Sequence, residues 1–473
     1  MVFNSLSFVV FFGIVLLLHN LPFSWQIKKF NLLIASYLFY AAWNPPFILL
    51  LWASTLVDWL VARQIHRQPT GARRRTWLIV SLVLNLGFLG FFKYWKFALE
   101  NWQALMALIG VHYEPPQLGI LLPVGISFYI FHSMSYTLDV YWRRVEPIRK
   151  LSDFALFVAF FTQLVAGPIL RTAQLVPQFA QPRKATRDQL CWGLALMTLG
   201  LFEKVVLADG ALAPVADAVF GNRDPMLAVD AWLGTVAFTA QIFCDFAGYS
   251  TIAIGAALCL GFSIPNNFRA PFAAVGFADY WTRWHISLSS WLRDYVYYPL
   301  GGSRKGERRT YVNLMTTMML SGLWHGANWT FVVWGGLFGV SLCGERWIKK
   351  KTAHWPWPSG MSFKLSLALL TFTTVCVTRV FFRSRDLSQA MAVLGDMFGG
   401  HADAVAILPT VKIFEAVLCI GALFGAHWYM RNRELEEVVA RAPRALIAAM
   451  WICMAFAITV TQGTGDAFIY FQF

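Results

Sequence analysis

The sequence predicts an all-α polytopic membrane protein, and three observations carry that prediction. Hydrophobic residues make up 58% of the chain and charged residues only 14%, where soluble domains carry about a quarter charged. The mean hydropathy is +0.54. Apolar stretches of about 20 residues, long enough to cross the bilayer core, recur from Phe8 to Val460. Lipid satisfies no backbone N–H or C=O, so spans of this composition must be helices. Roughly ten or more spans are expected, some of them broken, in a single domain over residues 1–473 without a soluble part, linker or internal repeat.

Charge placement supplies the orientation. The formal net charge of +14 sits in short loops: Arg63 to Arg75, Arg143 to Lys150, Arg183 to Arg187, Arg304 to Arg309, Lys349 to Lys351 and Arg431 to Arg444. That is the positive-inside pattern of membrane lipid contact, not a nucleic-acid surface. The first apolar stretch, Phe8 to Leu18, has no Lys or Arg before it and no cleavage site after it, so it reads as a retained helix. Seven cysteines lie in apolar segments without metal-like spacing and read as buried free thiols.

In order along the chain, spans are expected near 6–19, 30–43, 47–62 and 77–98, then an outward loop over 100–116 and a returning span over 119–142. The stretch 154–170 lies between basic loops and is interrupted by Gly167-Pro168, which predicts a re-entrant segment beside a cavity. A span over 190–208 leads to an outer loop holding Asp209, Asp217, Asp224 and Asp230, and 231–262 returns with an interruption at Gly248. Segment 271–300 mixes aromatic residues with Arg283, Arg293 and Asp294, as expected of an interfacial or cavity-lining helix. Basic flanks at 303–309 and 346–351 make 311–345 a hairpin that enters and leaves on the cytoplasmic side. Spans near 363–382, 411–430 and 444–462, and an amphipathic helix from Leu387 to Met397, complete the set.

His325 sits at the turn of that hairpin. The flanking runs 311–323 and 330–343 carry no Asp, Glu, Lys, Arg or other His. An ionisable side chain at membrane depth is costly and marks a functional site by default, and imidazole is the group suited to proton transfer near neutral pH. Around it, Gly322 and Gly326 can let a ligand approach the backbone, Trp324 and Trp329 can form walls, and Asn328 can hydrogen-bond a ring or a carbonyl. A second imidazole, His285, lies between Arg283-Trp284 and Arg293. If both line one cavity, one acts as base while the other positions or polarises an acyl group. The residues alone leave open a core histidine bonded to a helix carbonyl at 325 and an interfacial anchor at 285. Metal binding lacks a third ligand at helical spacing. Asp58, Asp139, Glu203 and Asp245 are either structural acids or a proton path. Of these Asp245 is the candidate for the site, whereas Glu203 beside Lys204 and Asp294 beside Arg293 read as ion pairs. A proton-coupled exporter using Asp245 and the two histidines as a relay, or a channel subunit or scaffold, remains an alternative at this level.

The motifs narrow the choice. Arg283-Trp-His-Ile-Ser-Leu-Ser-Ser-Trp-Leu-Arg293 through Arg304, followed by Gly322-Leu-Trp-His-Gly-Ala-Asn328, closely resembles the membrane-bound O-acyltransferase family, nearest its bacterial branch that O-acetylates polysaccharides such as alginate. Leu121 to Phe128, Ala166-Gly-Pro168, Asp245 to Ser250 and the tail Phe468 to Phe473 are similar too. The resemblance implies a ring of helices with re-entrant segments around a central tunnel, in a bacterial inner membrane. It puts His325 at the catalytic position and His285 as the second family histidine, with Trp324, Asn328, Gly326, Trp284, Arg283, Arg293 and Asp245 as substrate-binding candidates. It implies acetyl-CoA as acyl donor, no metal, and an extracytoplasmic acceptor hydroxyl on a periplasmic acetyltransferase partner or on the polysaccharide itself. Thr251 stands where alginate-type members carry Asp, so cellulose, alginate and peptidoglycan all stay open as polymers.

Overall fold

The computed structural model of the protein describes residues 1–115, 118–165, 167–358 and 360–461. Ala166 and the aromatic tail from Phe468 to Phe473 lie outside them. Among the described residues the chain is helical throughout, the one strand-like pairing being a bridge between Met226 and Val405. Among the described residues, six helices are long and apolar enough to cross a membrane: Phe47–Arg67, Ala72–Leu108, Arg187–Gly221, Ala228–Cys259, Met361–Arg383 and Thr410–Met430. Leu6–Asn20 and Arg444–Val460 are shorter apolar helices. The faces of the last helices that meet no protein carry Phe414, Leu418, Ile452 and Phe456 exposed, as lipid contact requires. The protein is a multi-pass membrane protein.

Contacts divide the chain into two compact units, residues 1–194 with 253–265 and residues 195–252 with 266–473. In the first, Phe47–Arg67 packs on Ala72–Leu89 and on Ile126–Tyr141. Asp58, fully buried there, accepts hydrogen bonds from Ser81 Oγ at 2.6 Å and from Asn85 Nδ2 at 2.9 and 3.0 Å. Asp139 pairs with Arg144 at 3.3 Å, and Lys29 with Asp153 at 2.5 Å. The expected re-entrant stretch is a broken helix, Leu151–Ala159 and then Phe161–Leu164, all of it buried beyond Asp153.

In the second unit two expectations fail. Gly248 does not interrupt its span: Ala228–Cys259 runs unbroken for 32 residues. The glycine serves a close approach, because a Cβ there would lie 2.6 Å from the carbonyl oxygen of Gly200. Nor does the preceding span end before Asp209. The chain continues through a π-helical stretch, Phe202–Leu212, and then Ala213–Gly221. Asp209 stays inside the helix because Lys204 meets it at 2.7 Å and meets Asp245 at 2.5 Å. Lys204 therefore neutralises those two acids rather than its neighbour Glu203, whose Oε2 has no hydrogen-bond partner among the described residues. Successive helical residues point about 100° apart, so adjacency in sequence works against pairing. Arg293 and Asp294 do pair, at 2.8 Å, near the surface. Cys191 and Cys453 are exposed rather than buried, each on a helix.

Candidate active site

The hairpin forms as the sequence predicts, with longer arms: Glu307–His325 rises, and Trp329–Lys351 returns. At 1.5 Å per residue the first arm is on the order of 28 Å long, close to the thickness of a hydrocarbon core. His325 is its last residue. Asn328 makes the turn by capping the second arm: its Oδ1 accepts from Thr330 N at 3.0 Å while its Nδ2 donates to the carbonyl of Arg385 at 2.8 Å. Both ends of that amide are thus spent on the fold. The glycines also serve packing, not ligand approach. A Cβ on Gly322 would lie 2.1 Å from the Phe331 carbonyl oxygen, and one on Gly326 2.1 Å from the Phe331 ring.

His325 is 3% exposed and packs edge-on against Trp324, Trp334 and Phe382, with ring centroids at 4.9, 5.1 and 5.3 Å. His285 is completely buried, and its ring centre lies 6.5 Å from that of His325 and 5.9 Å from that of Trp324. The two imidazoles, 40 positions apart in the sequence, thus face one region. His285 reaches it with a left-handed backbone, φ 42°, between the short helices Phe277–Trp281 and Ile286–Leu292. A β- or γ-substituted residue in that conformation is strained, and such strain concentrates where a side chain must be aimed.

The aim is held by Asn267, which the sequence reading missed. Its Oδ1 accepts from the backbone N–H of Ser287 at 3.1 Å and from Ser287 Oγ at 2.8 Å, and it faces His285 Nδ1 at 3.2 Å. The obligatory backbone donor fixes which end of the amide is oxygen. His285 Nδ1 must therefore carry a proton, which leaves the Nε2 of the neutral ring with a lone pair. That Nε2 is buried without a hydrogen-bond partner among the described residues. No sequence pattern marks Asn267, one of two adjacent asparagines in a loop.

The remaining candidates divide. Trp284 is buried beside Phe268 and Tyr280, in the wall of the site. Arg283 points away: it binds Asp279 Oδ1 at 2.8 Å and the Arg431 carbonyl at 2.9 Å, and Arg431 itself reaches Asp279 at 3.0 Å. Partial burial alone would raise the Asp279 carboxyl. The Val275 N–H and the two guanidinium groups outweigh it and hold the group below the ordinary carboxylate value. Arg293 is half-exposed and engaged with Asp294. Asp245 is one residue from Phe246, whose ring lies 4.6 Å from that of His285, yet its carboxylate goes to Lys204. Trp329 is 52% exposed. In the same unit, an open cleft of about 430 Å³ is lined by Asn222, Arg223, Asp224, Arg385, Asp386 and Asp396, and the Arg385 carbonyl is the one that Asn328 holds.

Residues 148–361 match MBOAT, the membrane-bound O-acyltransferase family, a stretch that contains both histidines. The chain is 42% identical over 403 residues to the probable alginate O-acetylase AlgI of Pseudomonas putida, covering 84% of this chain and 80% of that one. Against the same-named protein of Pseudomonas fluorescens it is 41% identical over 463 residues, 95% and 87% of the two chains. Against the peptidoglycan O-acetyltransferase of Helicobacter pylori it is 35% identical over 399 residues, 78% and 74%. A family match that contains both histidines, and identity of this order over most of the length, place the chain in the membrane-bound O-acyltransferase family, as an O-acyltransferase.

Proposed function

We propose that the protein is an O-acetyltransferase of the bacterial inner membrane, a single catalytic domain that moves an acetyl group from cytoplasmic acetyl-CoA to an extracytoplasmic hydroxyl. The acceptor is a bacterial polysaccharide of the alginate type, or a periplasmic partner protein that hands the acetyl on to it; the relatives act on alginate and peptidoglycan by name. The observation that carries the reading is the 6.5 Å approach of the His285 and His325 rings inside an apolar wall. His325 acts as general base on the acceptor hydroxyl, a role worth about 100- to 10,000-fold in rate. With its lone pair on Nε2, His285 positions the donor by accepting from an N–H of the pantetheine arm. Trp324 and Trp284 wall the acyl group. The cleft beside Arg385 supports an acceptor approach to the hairpin turn that carries His325, through the central tunnel expected of the family.

The test is transfer across a membrane. Proteoliposomes carrying labelled acetyl-CoA on one side and a mannuronate oligosaccharide on the other should acetylate the sugar, and His325→Ala should abolish transfer while the protein stays folded. Retained transfer in that variant sinks the base assignment. Label bound covalently to the protein from donor alone would replace direct attack by an acyl-enzyme route.

A further inference from the structure

Arg379 is a cation buried where the fold gives it no anion. It lies four residues before the end of the candidate span Met361–Arg383, is 1% exposed, and has no carboxylate within ion-pairing distance among the described residues. Its Nη2 makes one long contact, 3.4 Å to the hydroxyl of Tyr280. Its Nε and Nη1 have no hydrogen-bond partner among the described residues. Aromatic faces surround it instead: Trp284 at 4.6 Å, Phe382 at 4.8 Å and Trp334 at 5.5 Å from the guanidinium carbon. Such contacts offset only part of the cost of desolvating an ion, and ring faces leave N–H donors unsatisfied. Two of these rings, Trp334 and Phe382, also flank His325. The guanidinium and the proposed base thus stand against the same two walls.

The tautomer of His285 sharpens the question. With Nδ1–H committed to Asn267, the ring presents a lone pair to the site and cannot donate to a carbonyl oxygen. Some other group must meet the charge that develops there. We infer that Arg379 is that group: its Nε–H and Nη1–H hold the acyl carbonyl oxygen of the donor and stabilise the oxyanion of the tetrahedral intermediate. The inference rests on the acyl-transfer reading above. As the acceptor O–H attacks, a C–O bond forms, its proton passes to His325, and the carbonyl π pair moves onto oxygen beside Arg379. When that pair returns, the C–S bond breaks and the leaving thiolate takes the proton from His325.

The experiment compares the unsubstituted protein with Arg379→Met and Arg379→Gln in detergent, reading thiol release from acetyl-CoA with a mannuronate oligosaccharide as acceptor, together with thermal melting. Loss of an oxyanion donor lowers kcat by about 100- to 1,000-fold while the donor KM moves by less than about threefold and melting is unchanged. A kcat within about fivefold of the parent in either folded variant, or a loss confined to KM, overturns the assignment. Where neither neutral variant accumulates, Arg379→Lys decides, because a single ammonium cannot reproduce the fork. A drop in kcat of about tenfold or more at parental KM and melting supports the inference, and a parental kcat overturns it. Failure of the unsubstituted protein to consume acetyl-CoA would instead remove the acetyltransferase reading, a separate outcome.

Discussion

Two buried polar clusters in this protein look alike by composition and differ in bookkeeping. Around Asp58 each carboxylate oxygen has a donor, and Asn85 is itself met by Ser54 Oγ at 3.0 Å. Around His285 and Arg379 the reverse holds: His285 Nε2, Arg379 Nε and Nη1, and the indole nitrogens of Trp284 and Trp334 are buried without partners among the described residues. A buried polar group left unmatched costs about 1 to 3 kcal/mol, so a fold that keeps several together holds them for something that arrives later. A closed polar cluster fixes helices; an open one awaits a ligand.

That contrast predicts a double dissociation. His285→Ala should lower acetyl transfer by about 100-fold or more while leaving thermal stability near the parent; an unaltered rate would return His285 to a packing role. Asp58→Ala should do the opposite. It strands the Ser81 and Asn85 donors and costs about 1 to 3 kcal/mol of stability, with kcat per folded molecule unchanged, and a loss of kcat without a loss of melting temperature would reopen a proton path through Asp58. A smaller effect is expected of Asn267→Ala, which releases the His285 ring without touching substrate: roughly a tenfold fall in kcat, about 1.4 kcal/mol, with an altered pH profile and parental melting. The smallest concerns the brace outside the spans. Because the Asp279 carboxyl is held below its ordinary value, it contributes stability that is present above the unfolded pKa of about 3.9 and lost as pH falls through the lower folded value. Melting of the parent should therefore decline below about pH 4, and Asp279→Asn should flatten that part of the curve.

Much of the site was readable in the chain because its signals are local. A histidine amid apolar runs at 311–343, basic flanks on both sides, and an amphipathic period over Leu387–Met397 are properties of consecutive residues, and each element formed where expected. Arg379 carried the same kind of signal, a guanidinium within the span Met361–Arg383, and the rule that flags intramembrane charge applies to it as much as to His325. Other readings failed because they treated sequence neighbours as spatial ones. Glu203 and Lys204 diverge around the helix, Asn328 turns its amide onto the backbone, and the glycines beside His325 are filled by Phe331.

By itself, then, the sequence determined that the chain crosses a membrane as helices, which loops carry the orienting charge, and which imidazole is isolated in an apolar hairpin. Those follow from hydrophobicity and charge summed along consecutive residues. The tertiary structure alone decided that His285 turns its ring toward His325, that Asn267 assigns its proton, and that Arg379 stands behind the same two rings. The physical reason is that hydrogen bonds and ring contacts act over a few ångströms in space, between residues whose separation in the chain carries no trace of the pairing.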